Sequence, residues 1–200
     1  MNSFKKNIFK SSEAEILVFD PFDFMVVRFT YTKPTDGTDL DIMVYYDGTG
    51  TIYDKDAVGF NQLPNATKIP TDATPDTDAY LWWASDDVAL PAGECVEAVV
   101  VGLDNFNTSE IVIGDIINVY LRVGWYNMIG GGTVDIELQT YLGGTMSKVG
   151  TNIINTGGVL VDTQAKTATV TSGVGQVTEA HSDLVGSISY NKITKIATLV

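Results

Sequence analysis

"FMVVRFTYT", residues 24–32, shows the partial alternation of apolar and polar side chains that marks a half-buried β-strand. "TVDIELQTY", residues 133–141, shows it again. Around these two stretches, short runs rich in Val, Ile, Tyr and Phe recur between clusters of Gly, Pro, Asn and Asp. The spacing predicts strands near 14–19, 23–32, 40–46, 80–84, 95–104, 116–125, 133–142, 158–162, 167–172, 184–190 and 193–199. "SYNKITKIATLV" reads as a closing hairpin with Asn191 and Lys192 at its turn. No segment offers a long capped amphipathic helix, and "QVTEAHSDL", residues 176–184, is the best candidate for a short one. The near-repeats "GGGT", "LGGT" and "TGG" read as turn punctuation. The class is all-β: an antiparallel β-sandwich, with a jelly roll or a fibre-type fold as the alternative.

Two hundred residues suffice for one sizeable domain. The division read from the chain is a basic N-terminal arm over 1–12 and a single sandwich domain over 13–200. Residues 143–200, richer in Gly, Thr and Val, offer a semi-distinct C-terminal lobe. The segment 61–79 carries three prolines and many Thr, Asp and Asn residues. A loop of that length in a compact domain is usually functional or a contact surface.

Charge narrows the partners. Twenty-five acids stand against 12 bases, a net of −13. Between Ile69 and Ser147 the only basic residue is Arg122, against twelve acids. Such a surface repels nucleic acid and anionic membrane and attracts cations or a basic partner. A single cysteine, Cys95, excludes an internal disulfide framework, and one histidine, His181, limits transition-metal chemistry. The N-terminus lacks an apolar leader segment and no run has the length of a membrane span. Synthesis in a cytoplasm is the expectation, with later release in an assembled particle left open.

The residues that carry chemistry are carboxylates. Asp39 and Asp41 lie two apart in "GTDLDIMVYYDG". In an extended segment their side chains share a face, where they repel when empty and are disposed to share a cation. Asp36 extends the cluster, "TDAYLWWASDD" adds Asp78, Asp86 and Asp87, and "GFNQ" adds the amide of Asn61. Calcium takes six to eight such oxygens. Asp-rich turns also occur as ordinary solvated turns, because Asp bonds its own backbone there.

"VVRFTYTKPTDGTDLDIMVYYDGTGTIYD" resembles the opening of the TerD (tellurite-resistance, stress-response) family, with Asp-Leu-Asp entering a strand. "GFNQ", "SDDVALPAGECVEAVVVGLDNF" and "VGSISYNKITKIATLV" resemble, in order, its aromatic-Asn element, its acidic pair with following strand, and its closing hairpin. The resemblance implies a calcium-binding β-sandwich with ligands Asp39, Asp41, Asn61 and one or both of Asp86 and Asp87. The chain departs from the family at Gln62, where a second Asn belongs, in the linker 62–80, and in a closing hairpin without Arg or Trp. "TDLDI", "LWWASDD", "VGWYN" and the Gly/Thr-rich tail also resemble structural proteins of tailed bacteriophages, including capsid-associated proteins of crAss-like phages.

Trp82, Trp83, Trp125 and Tyr126 offer a sugar-stacking platform, but adjacent aromatics on a strand normally send one ring to the core and one to the surface. Tyr45 and Tyr46 follow the same logic. His181, Ser182 and Asp183 are adjacent in sequence, which is not how a catalytic triad is recognised. Cys95 reads as a buried small apolar group. Glu94 and Glu97 lie on a strand without a recognisable pocket. These observations lead to a non-enzymatic virion component, capsid-decorating or head-fibre-associated and braced by calcium, assembled in the host cytoplasm with other virion proteins or copies of itself. A cytoplasmic TerD-like stress protein and a carbohydrate-binding module are the alternatives.

Overall fold

The computed structural model describes residues 17–19, 21–33, 38–47, 57–59, 81–84, 86–87, 93–102, 115–126, 131–171, 177, 181–191 and 193–200. The basic arm, Asp36, Asp78, Asn61 and the 61–79 loop lie outside them. The described chain is almost wholly β, and every strand pairing is antiparallel. Among the described residues no helix is long and apolar enough to cross a membrane.

In chain order the strands are β1 (Leu17–Phe19), β2 (Phe24–Lys33), β3 (Leu40–Asp47), β4 (Ala57–Val58), β5 (Leu81–Trp83), β6 (Gly93–Val101), β7 (Ile116–Trp125), β8 (Gly132–Leu142), β9 (Thr145–Val149), β10 (Asn152–Thr156), β11 (Val159–Val170), β12 (Asp183–Asn191) and β13 (Ile196–Leu199). One sheet runs β1-β13-β12-β7-β3-β4 and the other β11-β8-β2-β6-β5. The alternation at 24–32 now has a cause. Met25, Val27, Phe29 and Tyr31 enter the main core, which they share with Leu40, Ile42, Val44 and Tyr46 of β3 and alternate residues of β7. This is the antiparallel sandwich expected from the strand pattern.

The outer face of the second sheet is also covered. The β9–β10 hairpin lays Met146 and Ile153 over Val26, Trp82, Ala98 and Val100. Arg28 fixes it there: its guanidinium donates to Asn152 Oδ1 at 2.8 Å, the Ile153 carbonyl at 2.7 Å and Gln139 Oε1 at 2.6 Å, and meets Glu137 at 3.2 Å. Trp82 and Trp83 therefore do point to opposite faces of β5, but the ring on the outer face, Trp82, is not at the surface: it lies buried under the hairpin.

Other expectations change in detail. The sequence pattern suggests no strands at 145–149 and 152–156; the tight turn between them carries Gly150 at φ 63°. The runs at 158–162 and 167–172 belong to one strand, β11, because "TQAKT" between them contains no turn residue. A bulge at Val161 is the only break in its pairing with β8, where Leu160 faces Tyr141 and Asp162 faces Thr140. Of the 176–184 segment, residues 183 and 184 open β12 instead of closing a helix. At the closing hairpin Asn191 ends β12, and its Oδ1 accepts from the main-chain N–H groups of Ile193 and Thr194 at 2.9 and 3.0 Å. The last strand accordingly starts at 196 and not 193. The glycine pairs do punctuate turns: Gly143, Gly144 and Gly157 all take positive φ between strands.

Candidate metal centre

The chain leaves one sheet at Lys33 and enters the other at Leu40, so Asp39 stands where the two layers meet. Its Oδ1 accepts from Leu40 N–H at 3.0 Å and from the Tyr31 hydroxyl at 3.1 Å, and pairs with Lys33 Nζ at 3.1 Å. Tyr31 and Lys33 are alternate residues of β2 and point inward together, which places a phenol and an ammonium beneath the crossover. Lys33 is only 2% exposed and also donates to the Asp87 carbonyl at 2.6 Å. Edge-on packing of Tyr31 against Trp125, with ring centroids 5.8 Å apart, holds the phenol in place.

Asp39, Asp41 and Asp86 each bring one carboxylate oxygen to within 4.8 Å of the others, a grouping able to hold a metal ion. Asp41, two residues on from Asp39, is 1% exposed, and its Oδ2 has no hydrogen-bond partner. A buried ionised oxygen left in that state is costly, and a cation supplies what it lacks. Asp86 follows β5, whose backbone continues beside β6 through a hydrogen bond from Ala84 N–H to the Ala98 carbonyl. Asp87 stands alongside in another role. Its carboxylate accepts Val96 N–H at 3.0 Å, and its carbonyl receives Lys33.

Glu97 completes the arrangement, a residue that the sequence alone did not place in the site. It faces inward from β6 between Cys95 and Val99, is 0% exposed, and accepts Trp83 Nε1–H at 3.2 Å. Its second oxygen has no donor. The available signal was the alternation of "ECVEAVVV": Glu97 falls on the same inward row as Cys95, Val99 and Val101.

Electrostatics follow from the crowding. Burial first, then the charges of Asp86, Asp41 and Asp39, push the Glu97 carboxyl well above the usual range. Burial, reinforced by Asp39 and Asp86, raises Asp41 to about 7 against the opposing pull of Lys33. Burial and Asp39 raise Asp86 to about 6 even though the Glu97 hydrogen bond and Lys33 oppose it. Two carboxylates about 4 Å apart repel by ~4 kcal/mol at an effective dielectric near 20, which one lysine offsets only in part.

No family model, curated protein or solved structure matches this chain. The site is therefore read from its own geometry. Its donors are all carboxylate oxygens, the set that hard divalent cations prefer over softer transition metals.

The other residues singled out by the sequence have structural roles. His181 is exposed, the Ser182 hydroxyl accepts from Arg122 at 3.4 Å, and Asp183 Oδ2 accepts from Thr171 N–H and Oγ1–H at 2.6 and 2.9 Å. Cys95 is buried, Glu94 is exposed, and Trp125 is packed in the main core. Tyr45 and Tyr46 go to opposite faces and both are buried, with Tyr45 stacked on Tyr120 at 5.1 Å.

Proposed function

We propose that this chain is a structural and interaction protein whose sandwich is braced by calcium, and that it serves as an auxiliary component of a bacteriophage virion, decorating a capsid or joining a head fibre. The observation that carries the calcium half is the buried Asp41 Oδ2, without a partner beside Asp39 and Asp86. A cation there ties the β2–β3 crossover to the segment after β5, so that both layers are clamped at one end. Calcium suits the position because its coordination is flexible and accepts carbonyl and water oxygens to complete a shell that three carboxylates only begin. Asn61 is a further donor in this reading.

The virion half rests on the likeness of "TDLDI", "LWWASDD" and "VGWYN" to tailed-phage structural proteins, together with an acidic body and a basic 1–12 arm that suit packing against copies of the chain or other virion proteins. In this reading the protein holds shape and performs no reaction. A TerD-like cytoplasmic stress protein is the second reading, favoured by the same three-Asp grouping. A sugar-stacking platform is disfavoured by the burial of Trp82 and Trp125.

Calorimetric titration with calcium and with magnesium, alongside thermal melts in chelator, tests the brace. Calcium binding that raises the melting temperature supports it; melts unchanged between chelator and millimolar calcium overturn it. Presence of the chain in purified particles at fixed stoichiometry separates the virion from the stress-protein reading.

A further inference from the structure

β11 is the terminal strand of its sheet: β8 pairs along one side, and no described strand pairs along the other. A long edge strand with an open side is a template for pairing unless charge, proline or a bulge blunts it. β11 runs for 12 residues without proline and carries only two charges, Asp162 and Lys166. They have opposite sign and stand symmetrically about Gln164, two residues to either side. All three side chains lie on one face, since successive even-numbered residues of a strand do so.

That symmetry makes the edge complementary to itself. We infer that β11 is a homotypic interface, pairing antiparallel with β11 of a second copy about a twofold axis through Gln164. In that register Asp162 lies opposite the second copy's Lys166 and Lys166 opposite its Asp162, two ion pairs from one contact. Shifting the axis to Thr163 or Ala165 sets Asp162 opposite Gln164 or Ala168, and the charge match is lost. Opposite charges directly across strands stabilise pairing and like charges destabilise it, so this edge selects its own register.

The surroundings agree. Among the described residues Lys166 forms no ion pair, while Asp162 is satisfied only locally, by Thr163 N–H at 2.8 Å and Gln164 Nε2 at 2.6 Å. Val159 and Leu160 are 65% and 49% exposed at the start of the strand. The bulge at Val161 bends the strand just before the charged run, so the regular ladder is short, from Asp162 to Lys166 on each copy. Such a contact is weak alone and effective when repeated through an array. The inference deepens the assembly half of the proposed function and rests on it for the partner being another copy; the cation site plays no part.

Sedimentation equilibrium of the full chain across about 1 µM to 1 mM protein reads the association directly. The expected result is a concentration-dependent dimer. Lys166→Glu and Asp162→Lys should each weaken it by roughly tenfold or more, and the double reversal should restore it. Gln164→Cys should oxidise to a covalent dimer, because the twofold axis places residue 164 opposite itself. Thr163→Cys should not, since residue 163 then faces 165. A wild-type chain that stays monomeric throughout, single reversals that associate like wild type, or a folded double reversal that stays monomeric would each overturn the inference. If a reversal variant loses its fold by circular dichroism, the contrast between the two cysteine variants decides the question. Loss of the dimer with the calcium-dependent melt intact sinks this interface and leaves the cation brace standing.

Discussion

Lys33 Nζ lies 3.1 Å from Asp39 Oδ1, with the lysine side chain 2% exposed and the aspartate 16% exposed. The last residue of β2 thus holds the residue that precedes β3, and the ammonium fills part of the role a cation would take. Replacing one partner of such a buried pair strands the other. Lys33→Met should cost about 3–5 kcal/mol in urea denaturation without added metal. It should also enlarge the calcium-induced rise in melting temperature, because the competing positive charge is gone. A calcium shift no greater than that of wild type would show that Lys33 and the cation do not share a field.

Asp41 tests the site from the opposite side. Asp41→Asn removes a charge raised by burial and by two neighbouring carboxylates. The variant should melt higher than wild type in chelator and should lose its calcium response. Chelator melts that fall instead would mean that the Asp41 carboxylate is satisfied without a metal.

The pH dependence has a definite sign. Asp41 and Asp86 are raised in the fold from 3.8 to about 7 and about 6, so between these values and pH 4 the folded chain binds more protons than the unfolded one. Without metal, the stability these two groups contribute is fully present below about pH 4 and is lost progressively as pH rises to 6 and 7, by an amount on the order of a few kcal/mol. Glu97 is raised as well and adds a loss of the same sign. Saturating calcium should flatten the profile, because it stabilises the ionised carboxylates. Urea midpoints at pH 5 and pH 8, each in chelator and in calcium, measure both effects.

Arg28 governs the third layer. Arg28→Ala removes four contacts to β8 and the β9–β10 hairpin. Hydrogen exchange should accelerate over 145–156 while β2 and β7 stay protected, with a global loss of about 2 kcal/mol. Uniform acceleration across the sandwich would show that the hairpin does not open by itself.

Local pattern carries part of this architecture. Alternation in 24–32 and 133–141 specifies half-buried strands, because side chains in an extended chain alternate faces regardless of context. Turn glycines at 143–144 and 157 are visible for the equally local reason that positive φ favours glycine. Asp39 and Asp41 can be paired from a two-residue spacing, and Asp86 is reached through its acidic neighbourhood. The β9–β10 hairpin is not legible in this way, since its five-residue strands are apolar at only a few positions, chiefly Met146 and Ile153. Arg28 looks like an ordinary surface charge until a segment more than 120 residues away covers it.

By itself, then, the chain determined most of its longer strands, several of its turns and one pair of carboxylates, all through patterns a few residues long. Only the tertiary structure decided that Lys33, Tyr31, Asp86 and Glu97 meet that pair from three other strands or their ends, and that Trp82 is interior. Those outcomes depend on which sheets stack and which segments cover them, and they are settled by burial and charge shared between segments distant in sequence. The two-residue spacing brought Asp39 and Asp41 together; the closing of the sandwich around them made Asp41 a buried carboxylate in need of a cation.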